Sequence, residues 1–239
     1  MTLPNPMRLY GLALRDFSNG DDNATLTIHR DDGSVTHLPA STFFRHSTEL
    51  SIDKMALSHC RGCVLDVGAG SGLHSLHLQH QGLSVCAVDI SPEACEVMRT
   101  HGVKNVHCVD MMNLVMSPFD TVLILGRGIG MVENLSGLDQ FLQGIHRLVK
   151  HDGQILLNSL DVGRTINPTD LAYQESNRQA DHYFGEVRLF FEYRGDKGPT
   201  FTFLYVDSKT LSHHSSKAGW QCKILTLEEN GNYLARLKH

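Results

Sequence analysis

Short apolar runs alternate with helix-like segments between Gly62 and Ser159, and this alternation constrains the fold more than any other feature of the sequence. Strands that are apolar on both faces and joined by helices are typical of a parallel sheet with crossover helices on its two sides. We therefore predict a doubly wound α/β fold. The predicted strands are Val64–Val67, Ser84–Asp89, Asn105–Asp110, Phe119–Gly126 and Gln154–Leu160.

Local signals place the helices between these strands. A helix over Leu73–Gln81 should stop at Gly82, and another should begin at Ser91, with Pro92 in its first position. Ser136 and Asp139 have the spacing of a capping box, which predicts a helix that runs to about Lys150 and is closed by Asp152-Gly153.

The flanking regions favour antiparallel structure. Thr25–Arg30 and Ser34–Leu38 bracket an Asp-Asp-Gly turn and predict an N-terminal β-ribbon. A small inserted hairpin is predicted over Glu186–Val206, and Asn230-Gly231 should join two closing strands. With no internal repeat and no low-complexity linker, the sequence favours one domain, 1–239.

Charge and composition exclude several function classes. The chain has 239 residues and a formal net charge of -5, without a Lys/Arg cluster, so we expect neither nucleic acid nor membrane binding. The N-terminal stretch lacks the layout of a signal peptide, which makes a cytoplasmic location the expectation. Cys60 and Cys63 form a C-x-x-C without a second pair, and we predict no metal site.

The stretch Val64–Gly72, VLDVGAGSG, ends a strand with an acid and a glycine-rich turn. Such turns bring backbone amides close to a bound cofactor, and a dinucleotide usually takes the spacing G-x-G-x-x-G. Here a carboxylate, Asp66, precedes the first glycine by two residues, and it would oppose a pyrophosphate. It suits a ligand with an ammonium and a sulfonium, which favours S-adenosyl-L-methionine as the cofactor.

Two further acids end the next two predicted strands. Asp89 stands where an acid can bind a ribose diol, a feature that both kinds of cofactor would share. Asp110, followed by Met111, offers a carboxylate for an exocyclic amine and an apolar side chain for a flat base. An acid at a strand end can also be a simple helix cap. Three acids at successive strand ends favour a ligand site at the edge where doubly wound sheets bind ligands.

Four segments, VLDVGAGSG, VCAVDIS, VHCVDMM and FDTVLILGRGIG, resemble in order and spacing the motifs of the class I S-adenosylmethionine-dependent methyltransferases. The resemblance covers Gly62 to about Ser159 and implies a mostly parallel seven-stranded sheet with an antiparallel C-terminal hairpin. It divides the domain into a cover (1–60), a cofactor-binding core (61–160) and an acceptor cap with the closing hairpin (161–239). The cofactor-binding residues that it implies are Asp66, Gly68, Ala69, Gly70, Gly72, Asp89, Ile90, Asp110, Met111 and Gly126.

Further candidates lie outside these motifs. Arg45 could reach the cofactor carboxylate from the N-terminal cover. The candidate acceptor-binding residues are Arg127, His182, Tyr183 and Glu186. The alternative for Arg127 is a surface residue, and for the other three the more common alternative is a solvated loop or hairpin residue. Direct displacement from a sulfonium requires no covalent enzyme intermediate, so the catalytic residues stay unknown at this level.

The acceptor class is narrowed by motifs that the sequence lacks. The fourth strand is followed by LGRG rather than by a Pro-Pro-aromatic motif, and no Pro-Cys nucleophile occurs. A small-molecule acceptor is therefore favoured. The alternatives are a nicotinamide-dependent oxidoreductase, a non-catalytic regulatory module that binds S-adenosylmethionine, and an aminopropyl transferase. The N-terminal ribbon and the Glu186–Val206 hairpin are predicted to close over the acceptor pocket, with plain packing or a dimer interface as the alternatives.

Overall fold

The computed structural model describes residues 5–239. Its α-helices are α1 (Arg8–Ser18), α2 (Ser51–His59), α3 (Leu73–His80), α4 (Pro92–Thr100), α5 (Leu135–Gly144), α6 (Pro168–Gln179) and α7 (Ser208–Lys217). Its strands are β1 (Thr25–Arg30), β2 (Val35–Pro39), β3 (Cys63–Val67), β4 (Ser84–Asp89), β5 (Val106–Cys108), β6 (Phe119–Ile124), β7 (Val149–Leu160), β8 (Glu186–Tyr193), β9 (Asp196–Lys197), β10 (Phe201–Leu204), β11 (Gln221–Leu227) and β12 (Asn232–Lys238).

Seven of these strands form one mostly parallel sheet, which confirms the predicted fold class. The chain divides into two compact units, residues 5–115 with 188–201, and residues 116–187 with 202–239. In the first unit, β4 pairs in parallel with both β3 and β5. In the second, β7 pairs in parallel with β6, and β12 joins β7 and β11 in antiparallel fashion. The division into cover, core and cap stays a prediction.

The turn between β3 and α3 is held over the end of β4. The amides of Gly68 and Ala69 both donate to the Val88 carbonyl, at 2.9 and 3.1 Å. Gly72 precedes α3 with φ +82°, and a Cβ there would lie 2.8 Å from Val103 Cγ2. Both the left-handed backbone and the close neighbour require glycine at this position.

Helix α4 begins as the sequence predicts, whereas α1 was not foreseen. Ser91 caps α4 by accepting from the Ala94 amide at 3.2 Å, with Pro92 next in the chain. Helix α1 packs against α4 so closely that a Cβ on Gly11 would stand 2.0 Å from Ser91 Oγ. Leu14 of α1 is fully buried in the apolar cluster that it shares with α4.

The N-terminal ribbon and the inserted strand β8, predicted as separate pieces, belong to one small sheet. Strand β1 pairs with β2 on one side and with residues 189–192 of β8 on the other, antiparallel in both cases. Helix α1 covers this sheet, because Leu9 packs in one buried cluster with Leu26, Phe191 and Tyr193. Burial of apolar side chains under α1 therefore accounts for part of the aromatic content of both segments.

The predicted helix between the fourth and fifth strands is wrong at both ends. Asn134, not Ser136, caps α5 by accepting from the Gly137 amide at 2.9 Å. The helix ends at Gly144, a short 3-10 segment follows, and β7 begins at Val149. Asp152-Gly153 consequently lies inside β7 rather than at a helix end, where the β6–β7 pairing changes register between Phe119 and Thr121. Asp152-Gly153, a dipeptide typical of turns, is accommodated in β7 because the strand pairing is irregular at this point.

The C-terminal region follows its local signals. Asp207 caps α7 by accepting from the amides of Lys209 and Thr210 at 2.9 and 3.0 Å. Strands β11 and β12 form the predicted antiparallel hairpin around Asn230-Gly231. Over residues 5–239, no helix combines the length and the apolar character that crossing a bilayer requires.

Candidate cofactor site and acceptor-side residues

Asp66 lies one residue before the end of β3 as a buried carboxylate, with a residue exposure of 2%. Ser75 Oγ, in the first turns of α3, donates to Asp66 Oδ2 at 2.6 Å. Burial raises the pKa of Asp66, while the charge of His74 and hydrogen bonds from Ser75 oppose that rise. A cationic group next to this carboxylate would offset the cost of its burial.

The backbone of the glycine turn is open at Gly68 and covered at Gly70. Gly68 has φ +66°, and a Cβ built on it would meet nothing within 4 Å, so a ligand can approach the main chain there. Gly70 has φ +57°, and a Cβ there would lie 2.6 Å from the Tyr10 hydroxyl. Tyr10 is on α1, which the sequence analysis did not predict, so its position beside the turn is a finding of the structure.

Asp89 ends β4 and organises the turn through both of its carboxylate oxygens. Gly70 N donates to Oδ2 at 2.9 Å, and Ser91 N donates to Oδ1 at 2.9 Å. Burial raises the pKa of Asp89, and the backbone hydrogen bonds act in the opposite direction. Each carboxylate oxygen can accept more than one hydrogen bond, so these contacts are compatible with a diol ligand.

The predicted adenine contacts are a mixed group. Ile90 is 39% exposed and Met111 is buried. Asp110 Oδ1 accepts from Met112 N at 2.8 Å and caps the 3-10 segment Met111–Asn113. The capping role that such acids often play is therefore present at Asp110, and its contact with a base stays a prediction.

Arg45 is held by a third buried carboxylate, that of Asp53. Its Nη2 donates to Asp53 Oδ2 at 2.5 Å, and His74 Nε2 lies 3.1 Å from the same oxygen. Ser71 of the glycine turn donates to the Phe43 carbonyl, two residues before Arg45. Asp53 was not among the predicted site residues, although it lies with Ile52, Ala56 and Leu57 on the buried side of α2, and a charge in place of an apolar residue there is a usable signal.

In the second unit, the end of β6 carries two consecutive left-handed residues. Gly126 has φ +63°, with nothing within 4 Å of a Cβ built there. Arg127 has φ +62°, which is uncommon for a residue other than glycine. Asn158 Oδ1 accepts from the Arg127 amide at 2.9 Å, and Asn232 Oδ1 accepts from Arg127 Nη2 at 2.9 Å. The two asparagines hold both the backbone and the side chain of Arg127.

The other acceptor candidates differ in whether their polar groups already bond within the protein. Tyr183 donates to Asp207 Oδ2 at 2.7 Å and accepts from Asp207 N at 3.0 Å, so its hydroxyl serves the cap of α7. His182 Nδ1 lies 3.5 Å from Glu186 Oε2, with side-chain exposures of 52% and 11%. The acceptor-binding roles of all three residues stay predictions.

The cysteine pair shows no reactive environment at Cys60, because burial raises the pKa of that thiol to about 12. Across the described residues, 5–239, no group of three or more His, Cys, Asp or Glu side chains is arranged to hold a metal ion.

A cavity of about 270 Å³ opens along α3 beside Arg45 and Ser71 and includes His46, His77, His80 and His101 in its lining.

The chemistry of the first unit fits the predicted cofactor. Asp66 and Asp89 are buried carboxylates with raised pKa values, and the backbone between them is bare at Gly68. Hydroxyl and ammonium groups would be favourable partners for them, whereas a pyrophosphate would add negative charge.

Comparison with known proteins agrees with this geometry. Residues 65–157 match the family profile described as a methyltransferase domain. A crystal structure of an S-adenosylmethionine-dependent methyltransferase from Bacteroides fragilis, in complex with S-adenosyl-L-homocysteine, superposes with a TM-score of 0.86. It is 30% identical, and the alignment covers 100% of this chain and 97% of that one. The chain belongs to the class I S-adenosylmethionine-dependent methyltransferases. The cofactor of this methyltransferase is therefore S-adenosylmethionine, and the nicotinamide alternative is set aside.

Curated relatives of the methyltransferase match over a shorter region. A ubiquinone biosynthesis O-methyltransferase from Xylella fastidiosa is 29% identical over 106 residues, which are 41% of this chain and 42% of that protein. Another from Pseudomonas paraeruginosa is 31% identical over 118 residues, 46% of this chain and 47% of that protein. The methyltransferase thus spans about half the length of the curated relatives that it matches.

Proposed function

We propose that this methyltransferase transfers the methyl group to a hydroxyl oxygen of a small-molecule acceptor. The observation that carries the transfer itself is the bare glycine turn between the buried carboxylates Asp66 and Asp89. The choice of oxygen is supported by the relatives named for ubiquinone biosynthesis O-methylation. The acidic balance of the chain supports a small molecule over a nucleic acid.

The first unit supplies all but one of the cofactor contacts in this proposal. Asp66 pairs with the ammonium group, Asp89 accepts from the ribose hydroxyls, and Arg45 binds the carboxylate. The backbone of Gly68, Ala69, Gly70 and Gly72 lines the methionine and ribose, Ile90, Asp110 and Met111 contact the adenine, and Gly126 offers its backbone to the methionine end. Bound S-adenosylmethionine supplies an electrophilic methyl group on a sulfonium. The protein's part is to align the acceptor oxygen with that group and to exclude water.

His182 and Glu186 are the proposed route for the hydroxyl proton. An oxygen acceptor reacts faster when its proton is removed, and a carboxylate can orient an imidazole for that purpose. The 3.5 Å separation and the exposed imidazole support this pairing. Tyr183 is less suited to remove this proton because its hydroxyl already bonds Asp207, the cap of α7.

Arg127 is proposed to recognise an anionic group of the acceptor. Its left-handed backbone has a conformational cost, and such strain is often kept at functional sites. Asn232 holds the guanidinium by one side while the planar group has five donors in all. Arg127→Gly should raise the KM for a carboxylated acceptor while relieving backbone strain, and should leave an uncharged acceptor unaffected.

A panel of small-molecule acceptors tests the proposal. Phenols, catechols, hydroxy acids and amines are incubated with S-adenosylmethionine, and both S-adenosylhomocysteine and the methylated product are detected by mass spectrometry. An O-methylated product whose formation is lost in Asp66→Ala supports the proposal. Methylation at nitrogen would overturn the choice of oxygen. Tight binding of S-adenosylhomocysteine without turnover on any acceptor would favour the regulatory module, and turnover only with decarboxylated cofactor would favour aminopropyl transfer.

A further inference from the structure

Asp53 joins two basic side chains through a single buried oxygen. Its residue exposure is 2%, and Oδ2 contacts Arg45 Nη2 at 2.5 Å and His74 Nε2 at 3.1 Å. Burial alone would raise the pKa of Asp53, but the hydrogen bond and charge of His74, together with Arg45, bring the pKa below its ordinary value. Asp53 is therefore ionised at neutral pH.

Both basic partners belong to segments that contact the glycine turn. His74 immediately precedes Ser75, whose hydroxyl binds Asp66. Arg45 follows Phe43, whose carbonyl accepts from Ser71. Through these contacts, Asp53 connects the segment before α2 to the first turn of α3, beside the predicted methionine contacts.

The Arg45 guanidinium is fixed but not fully satisfied. Nη2 bonds Asp53, and Nη1 donates to the Thr42 carbonyl at 2.8 Å. Nε is buried and has no hydrogen-bond partner in the structure. A buried donor without an acceptor destabilises the folded protein, and a ligand that supplies the acceptor removes this cost.

A purely stabilising role explains this arrangement poorly. Buried ion pairs often contribute no more to stability than well-packed apolar side chains, because both charges must be desolvated. Holding a guanidinium in one orientation before a ligand arrives, in contrast, lowers the ordering cost of binding that ligand.

We propose that Asp53 is a positioning residue, which orients Arg45 and His74 so that Arg45 receives the carboxylate at the amino-acid end of the cofactor. This inference rests on the proposed contact between Arg45 and that carboxylate. It concerns only the amino-acid end, since the adenosine end is assigned to Asp89, Asp110 and their neighbours. The ligand that carries the amino-acid end should therefore be sensitive to Asp53, and a ligand without it should not.

Calorimetry on the full chain with two ligands measures this difference. S-adenosylhomocysteine has the amino-acid end, and 5′-methylthioadenosine has the adenosine and thioether without it. Asp53→Asn should weaken S-adenosylhomocysteine about tenfold or more and leave 5′-methylthioadenosine within about twofold. The matched control is Asp31→Asn, which removes the charge of another Arg–Asp pair in the same unit, with Arg188, and should change neither Kd.

Arg45→Ala and the double variant separate the inference from its premise. If Arg45→Ala leaves S-adenosylhomocysteine binding unchanged, the proposed Arg45 contact fails. If Arg45→Ala weakens binding but Asp53→Asn does not, the role of Asp53 is overturned. When Asp53 acts through Arg45, the double variant should bind about as weakly as Arg45→Ala, whereas additive losses contradict the inference.

A structural role for Asp53 predicts something else, namely equal losses for both ligands with a lower melting temperature. That outcome would also overturn the inference. Should Asp53→Asn fail to fold, Asp53→Glu keeps the charge and moves it by one methylene. A selective loss for S-adenosylhomocysteine in that variant supports the inference, and unchanged selectivity rejects it.

Discussion

The carboxylates at the ends of β3 and β4 differ from the carboxylate at the start of α7. Burial raises the pKa values of Asp66 and Asp89, so their charged forms are held at a cost to the fold. At Asp207, hydrogen bonds from Thr210, Tyr183 and the backbone outweigh burial and lower the pKa. In the first region burial disfavours the charged carboxylates and hydrogen bonds offset this only in part, whereas in the second the hydrogen bonds favour a charged carboxylate at a helix end.

This difference separates a binding site from a scaffold. A raised carboxylate pKa means that stability falls as pH rises from the unfolded value through the folded one, because the folded state holds the proton longer. A lowered pKa has the opposite sign, with stability present above the unfolded value and lost as pH falls through the folded one. A ligand with positive charge or hydroxyl donors would stabilise the charged carboxylates of Asp66 and Asp89. Asp207 already has hydrogen-bond donors within the protein and would gain nothing from such a ligand.

Alanine at two glycines of the turn should give the largest effects. Gly72→Ala combines left-handed strain of about 1–2 kcal/mol with a clash at Val103 Cγ2 of about 1–3 kcal/mol, and should lower the free energy of unfolding by their sum. Gly68→Ala has the same strain but open space around the new methyl, so its stability loss should be smaller. Urea denaturation measures both variants.

The order of the two variants should be reversed for binding, with the larger loss of cofactor affinity in Gly68→Ala. The methyl of Gly68→Ala would occupy the space where a ligand meets the backbone, so S-adenosylhomocysteine binding should be lost while the fold persists. Gly82→Ala, just after α3 in the same unit, is the matched control, since Gly82 also has a left-handed backbone and open surroundings but is not among the proposed cofactor contacts. If Gly68→Ala bound normally, the bare backbone of the turn would not be a ligand surface.

Replacement of Asp89 should affect binding more than stability. Asp89→Ala removes a charged acceptor for two hydroxyls, and hydrogen bonds to charged groups contribute about 1.5–3 kcal/mol, so the Kd for S-adenosylhomocysteine should rise about tenfold or more. Calorimetry gives the Kd, and the control is Asp31→Asn, which removes an exposed carboxylate outside the proposed cofactor contacts and should leave the Kd unchanged. An unchanged Kd for Asp89→Ala would mean that other groups hold the ribose.

Tyr183→Phe should do the reverse and affect stability alone. It removes the hydroxyl that donates to Asp207 and accepts from its amide, at an expected cost of about 1–3 kcal/mol to the free energy of unfolding. The loss should shrink at acid pH, because Asp207 is protonated there and its lowered pKa no longer contributes stability. Denaturation at neutral and acid pH measures this, and a large rise in the Kd for S-adenosylhomocysteine would instead make Tyr183 part of the site.

The cofactor region could be predicted from sequence because backbone geometry dictates its residue types. Left-handed positions favour glycine, and Asp66 and Asp89 lie within the last two residues of the strands that position them. Tyr10 could not be placed in this way, since it reaches the turn from α1, which is distant in sequence, and the contacts of Asp53 with Arg45 and His74 depend on tertiary packing. The α5 boundary failed because Asn134 and Ser136 are both good caps, and only tertiary packing chooses between them.

The acceptor side has no comparable rule. His182 lies in the loop between α6 and β8, and Glu186 begins β8, positions where polar residues occur for many reasons. Arg127 became interpretable only through its left-handed backbone and its two asparagine partners, neither of which has a sequence signature.

The smallest expected effect concerns residues 25–45 and 186–206, which are predicted to close over the acceptor. Phe191 and Tyr193 pack under α1, and His29 stacks on Phe190 at 4.5 Å between ring centroids, so part of this sheet has a packing role already. A lid should nevertheless exchange amide hydrogens faster when the site is empty. Hydrogen exchange with and without S-adenosylhomocysteine should show added protection in 40–45, where Arg45 is anchored, and little in 186–206. Equal protection in every state would mean that both segments are scaffold. A change in protection on ligand binding would then be expected only at the glycine turn.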